Sequence, residues 1–166
     1  MAGGKHGLSI DGLEKWQRWL AQLEHEEVAN TRDRILRKAG MQLLAHLDDL
    51  TPRRSGVLQN SFKMGDPNNV FKIGAGKTSY VFVGTAVSYA QYVNDGFTQK
   101  KGQFIPGVWK KGTFHYIPGH NKGMVLKGKV IPGARMFEKA MTRIEEDLPD
   151  ILDFEFRRLY AVLFES

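Results

Sequence analysis

The chain of 166 residues contains no cysteine, which excludes disulfides and thiolate metal sites. It has no apolar run long enough to span a membrane. The opening MAGGKHGLSI lacks the apolar core of an export signal, so an unsecreted, cytoplasmic product with no membrane partner is expected. Acidic residues are missing from one long stretch: Gly96 to Phe137 holds eight basic residues, seven lysines and Arg135, and no Asp or Glu. Elsewhere there are 16 basic and 18 acidic residues, so this stretch carries the whole net charge of +6. Such asymmetry implies a segment that faces something anionic or stays solvated. Length and a hydrophobic content of 42% fit a single globular domain spanning 1–166.

Constellations for catalysis are also scarce. His115 and His120 lie in the acid-free stretch, where no carboxylate between Asp95 and Glu138 can complete a metal site. Glu145, Glu146 and Asp147 cluster beside a proline on an amphipathic helical pattern, which reads as a solvated face rather than a glycosidase pair. GAGKTS (74–79) ends like a phosphate-binding loop, but the first glycine is missing and a strand pattern follows where a helix is needed. No enzyme activity and no cofactor are expected.

What is present is an α+β pattern. Asp11 and Glu14 form a capping-box pair, followed by the stripe Leu13, Trp16, Leu20, Leu23. A second stripe runs Ile35, Leu36, Ala39, Leu43, Leu47, Leu50. These predict helices over 11–24 and 26–50, separate or continuous, ended before Pro52. Strands are expected at 58–64, in VFKIGAG and in SYVFVGT. A short helix in SYAQYVNDGF should lock onto the sheet through Tyr89, Tyr92 and Val93. From Ala134 the helical period returns, with a kink or break expected at Pro149 and Asp147 capping the restart. The expected architecture is an antiparallel sheet of three to four strands packed on long N- and C-terminal helices.

Between them, about 98–133 reads as an extended loop or hairpin insertion, dispensable to the body from Gly96 to Phe137. Three units there end in Ile-Pro-Gly, so turns are expected at Pro106-Gly107, Pro118-Gly119 and Pro132-Gly133. Lysines at 100, 101, 110, 111, 122, 127 and 129 (Lys100, Lys101, Lys110, Lys111, Lys122, Lys127, Lys129) are interleaved with Phe104, Trp109, Phe114 and Tyr116. Ammonium groups beside aromatic rings can neutralise phosphates and stack on bases. Without a helix-turn-helix, finger or RNP signature, such binding would be sequence-independent.

Three segments in order resemble one family. TPRRSGVLQNSF (51–62) is similar to a Thr-Pro-x-x-Thr/Ser-Gly-x-Leu-x-x-Ser motif through Thr51, Pro52, Ser55, Gly56, Leu58 and Ser61. VGTAVSYAQYVNDGF (83–97) resembles a Val-Gly-Thr…Tyr-Ala-x-Tyr-Val-x-x-Gly segment through Gly84, Tyr89, Tyr92 and Gly96. IPGARMFEKAM (131–141) is similar to a lead into a final helix through Pro132, Arg135 and Phe137. Together they resemble the gene-product-ten-like phage tail-component family, which includes tail-completion and neck proteins of phages and Bacillus-type defective prophages. The resemblance implies a non-enzymatic subunit of a homo-oligomeric ring, six-fold, between head connector and tail tube. It implies neighbours among connector, head-completion, tail-terminator and tail-tube proteins, and a place in the neck of a virion assembled in the bacterial cytoplasm. The basic loop would then reach a neighbouring subunit or line the DNA passage, with only transient, non-specific DNA contact. The alternative from the residues alone is a sequence-independent nucleic-acid-binding module.

Overall fold

A computed structural model describes residues 13–74 and 79–164. The capping residue Asp11, the side chains of the first apolar stripe and most of GAGKTS lie outside the described residues. The elements are α1 (Leu13–Leu50), α2 (Val57–Asn60), β1 (Asn69–Gly74), β2 (Tyr80–Thr85), α3 (Ala90–Asp95), β3 (Gly96–Thr98), β4 (Phe104–Lys110), β5 (Thr113–Tyr116), β6 (Gly123–Val125), β7 (Val130–Pro132) and α4 (Met136–Phe164). The class is α+β, as expected, but the strands form three small sheets rather than one: β1-β2, β3-β7 and β5-β4-β6.

Several local expectations are corrected. Of the separate and continuous options for the first helices, the continuous one holds, as α1, because EHEEVANTRDR contains neither Gly nor Pro and is rich in helix formers. The expected strand at 58–64 is instead the short helix α2 followed by turns. Gly56 reverses the chain at φ 78, and the Ser61 hydroxyl donates to the Leu58 carbonyl at 2.6 Å, a local bond that competes with a strand ladder. α4 runs through Pro149 without a break; that residue is exposed, where a missing N–H is least costly.

The chain divides into two compact units. The first gathers α1 up to Leu43, Phe71–Val83, and α4 from Arg143 onward. In it Gly40 is buried, and a Cβ there would overlap the Phe71 ring and Val81, so glycine lets those strand residues press against the helix. Its α4 segment buries Glu155 completely. The Arg34 Nε donates to Glu155 Oε2 at 2.8 Å, and the Lys38 ammonium lies 2.6 Å from Oε1. Lys38 also sits 3.9 Å from the centre of the Phe154 ring, a favourable cation–π distance.

The second unit holds Leu44–Val70 and Gly84–Thr142. Its core contains Leu44, Leu47, Leu58, Phe62, Ala90, Met136 and Ala140, with Phe62 and Phe137 meeting edge to face at 5.9 Å. Buried polar side chains stitch this core together. Thr85 Oγ1 donates to Ser61 Oγ at 2.7 Å and accepts the Val87 N–H at 3.1 Å. Thr51 Oγ1 donates to the Leu47 carbonyl and touches Met136 Sδ. Asn94 joins α3 to α4: its Oδ1 accepts the Phe137 N–H at 3.0 Å, and its Nδ2 donates to the Asp95 and Glu138 carboxylates. One of the free amides in the first turn of α4 is thus capped from a distant segment.

Candidate functional site: a basic β-arm

The stretch expected as an extended loop or hairpin insertion is an antiparallel ribbon that carries five strands. Its base is β3 on β7, with Gly96 opposite Pro132 and Thr98 opposite Val130. The pairing continues as Gln99 donates to the Lys129 carbonyl at 2.9 Å. A knuckle follows, where Gln103 N–H bonds the Lys100 carbonyl and glycines at 102 and 128 adopt φ 83 and 77. Pairing then resumes with Phe104 opposite Val125, Ile105 opposite Met124 and Pro106 opposite Gly123. On its other edge β4 pairs with β5, from Gly107 opposite Tyr116 to Lys110 opposite Thr113.

The turns follow from sequence, though not always where expected. Lys111 and Gly112 close the β4–β5 hairpin at φ 47 and 78, the two positive values of a type I′ turn. Of the three Pro-Gly pairs, Pro118-Gly119 makes the expected type II turn: Gly119 has φ 73 and His120 N–H bonds the Ile117 carbonyl at 3.2 Å. Pro106 and Pro132 instead lie within strands. Pro106 has no N–H to offer β5, and the Ile117 carbonyl it would have met is already used by His120. His120 also accepts the Lys122 N–H on Nδ1 at 3.0 Å, so this histidine shapes a turn.

The register sorts the aromatic residues. Trp109 opposite Phe114, with Tyr116, Ile105 and Met124, shares one face of the three-stranded sheet. Trp109 and Phe114 pack edge to face at 5.4 Å. The Phe114 ring occupies the space where a Cβ on Gly107 would stand, and the Phe104 ring does so at Gly123. Even so, Trp109 is 62% and Tyr116 63% exposed, and Phe104 and Val125 are exposed on the opposite face. All seven lysines are exposed, and among the described residues none of them joins an ion pair. A surface that sets exposed rings beside exposed lysines is chemically suited to an anionic partner.

The family-motif residues sit elsewhere. Thr51, Leu58 and Ser61 are buried in the second unit, as is Gly84. Pro52, Gly56, Leu58 and Tyr89, with Arg54, Ser55 and Val93, line an open cavity of about 490 Å³. The expectation that Tyr89, Tyr92 and Val93 bury the short helix is corrected: Ala90 and Asn94 are its buried residues, while Tyr89 is 40% and Tyr92 62% exposed. Tyr92 packs on Phe97 at the base of the arm, 6.2 Å between ring centres. The separable part of the arm is also narrower than Gly96–Phe137. Gly96 has φ 77, and a Cβ on it would collide with the Ile131 carbonyl and the Gly133 amide, while Met136 is fully buried.

Of the buried polar residues that the sequence did not single out, Asn94 and Glu155 make the most side-chain contacts. Nothing local to Asn94 reveals that it caps a helix that starts 42 positions later. Glu155 did leave a trace, because it falls in phase with Ile144, Leu148 and Leu159, the buried side of α4. Its carboxyl is held below the usual range by the Lys38 hydrogen bond and, further, by Arg34, against the opposing effect of burial. Both cations are themselves partly exposed, 28% for Arg34 and 45% for Lys38, so the cluster lies at the solvent boundary.

Residues 15–96 match the family model described as "Bacteriophage HK97-gp10, putative tail-component". YqbI of Bacillus subtilis (strain 168) is 34% identical over 145 residues, which cover 81% of this chain and 86% of YqbI. The phage-like element PBSX protein XkdI of the same organism is 33% identical over 103 residues, 61% of this chain and 63% of XkdI. No solved structure matches the chain. The match to the family model ends at the first residue of β3, so the arm and α4 lie beyond it.

Proposed function

The chain belongs to the HK97-gp10-like family of phage tail components, and from that premise we propose that it is a tail-completion or neck protein. In this reading it is one subunit of a ring, six-fold as its family resemblance implies, between the head connector and the tail tube. It acts by assembly and not by catalysis. The observation that carries the reading is the arm, a cationic ribbon that exposes Trp109 and Tyr116 on one face of its sheet and Phe104 and Val125 on the other. A subunit whose work is to bind its neighbours needs such a surface, and a closed ring gives each copy one to bind.

A second reading rests on the same residues: Trp109 and Tyr116 beside lysines that join no ion pair among the described residues would also suit stacked bases and phosphates. Particles separate the two. With the gene removed, heads and tails should accumulate unjoined, and a labelled subunit should appear by electron microscopy at the head–tail joint. Particles that assemble normally without the protein would overturn the assembly role. A steep fall of DNA affinity with salt, in a protein never recovered with particles, would support the nucleic-acid reading.

A further inference from the structure

The arm has a counterpart on its own chain. From Ile144 to Phe156, α4 carries six acidic residues and no basic one, the mirror image of the acid-free arm. Glu145, Glu146 and Asp150 are exposed, and among the described residues they join no ion pair. Asp150 stands on the rim of two open clefts, of about 520 and 640 Å³. Their walls supply Met41 and Ile151 on one side and Phe154 on the other. The cation in the first cleft, Lys38, is engaged by Glu155 at 2.6 Å, and Arg157 in the second is engaged by Asp153 at 2.9 Å. Arg158 remains in the second cleft as a positive neighbour.

We propose that the arm of one copy seats on the Ile144–Phe156 segment of α4 in a second copy. Its lysines meet Glu145, Glu146 and Asp150, and its exposed aromatic rings meet the apolar walls of the clefts. The pairing is complementary in charge and in apolar content, which sets register and suppresses wrong partners. A ribbon running from Gly96 to Lys110 reaches up to about 45 Å at 3.3 Å per residue, enough to cross to a neighbour. Because the two surfaces are different patches of one chain, the contact is head-to-tail. Repetition closes a ring or continues as a filament. This docking rests on the ring reading above and specifies how that ring is held.

Charge reversal tests it. One variant carries Lys110→Glu, Lys111→Glu and Lys122→Glu; the other carries Glu145→Lys, Glu146→Lys and Asp150→Lys. All six side chains are exposed, so circular dichroism should show both variants folded. By sedimentation of the full chain, each variant alone should self-associate at least about tenfold more weakly than the wild type. Mixed together, or combined in one chain, they should regain association, since each reversed arm then meets a reversed helix. Wild-type association should weaken as salt is raised through the range where the Debye length falls below about 10 Å. If the wild type associates and neither reversal weakens it, this docking is wrong while the ring reading stands. If both reversals weaken association but the mixture does not restore it, the docking is also wrong. If the wild type stays monomeric at every concentration, both fail. An arm reversal that abolishes binding to a random-sequence DNA duplex and leaves the oligomer intact assigns the arm to nucleic acid instead.

Discussion

The junction of α3 with α4 and the arm that springs from it are built from adjacent residues, yet they solve opposite problems. At the junction every short distance is used: Ala134 and Arg135 donate to the Val93 and Asn94 carbonyls at 2.9 Å, and the Asn94 side chain caps α4. Thirty-odd residues of arm then expose rings on both sheet faces, with Phe104 49%, Trp109 62% and Tyr116 63% exposed. Two glycines with nearly the same backbone angle show the difference. Gly96, at φ 77, is pressed against the backbone of Ile131 and Gly133; Gly102, at φ 83, has nothing within 4 Å of where a Cβ would stand. The body specifies a fold, whereas the arm presents a surface.

That contrast can be broken most severely at Gly96. Gly96→Ala adds left-handed strain and a collision with the Ile131 carbonyl, so we expect a loss of about 3–5 kcal/mol in denaturant unfolding. A loss near that of Gly102→Ala would show that the junction is not tight.

Glu155→Gln comes next. It leaves two cations without their carboxylate, and because both are partly solvated we expect a loss of about 2–4 kcal/mol at neutral pH. The folded carboxyl titrates below its ordinary range. Its contribution is therefore complete above the unfolded value and disappears as pH falls through the lower, folded one. Thermal unfolding of wild type and variant should converge in strong acid; a gap unchanged there would remove the ion cluster as the cause.

Asn94→Ala deletes the cap of α4 and should cost about 1–2 kcal/mol, with helical content lost first at the start of α4 by hydrogen exchange. Gly102→Ala pays only for its positive φ, about 1 kcal/mol, and should leave the second unit's core protection unchanged.

Sequence periodicity revealed the long helices and the β1 and β2 strands, because each shows its own period over enough residues; it located α3 but, over six residues, gave the wrong buried face. It could not show that α1 is unbroken across EHEEVANTRDR, where charged helix formers hide the apolar stripe. The arm's charge and its rings were plain in the sequence, but its ladder was not. Pro106-Gly107 reads as a turn, and Pro106 fits within a strand because the Ile117 carbonyl it faces is taken by the next turn. Motif residues such as Ser61 and Thr85 were visible as letters; that they bond each other across 24 positions was not. Long-range polar contacts leave no period, so they escape a reading based on spacing.

The claim that the arm is an assembly device on a body stable without it is tested by excision. Replacing residues 100–128 with Asn-Gly joins Gln99 to Lys129 by a two-residue hairpin turn that suits their pairing. The shortened chain should unfold cooperatively within about 1 kcal/mol of the full one, while failing to self-associate or to enter particles. A shortened chain that is unfolded by circular dichroism, or one that still assembles into particles, would contradict the account.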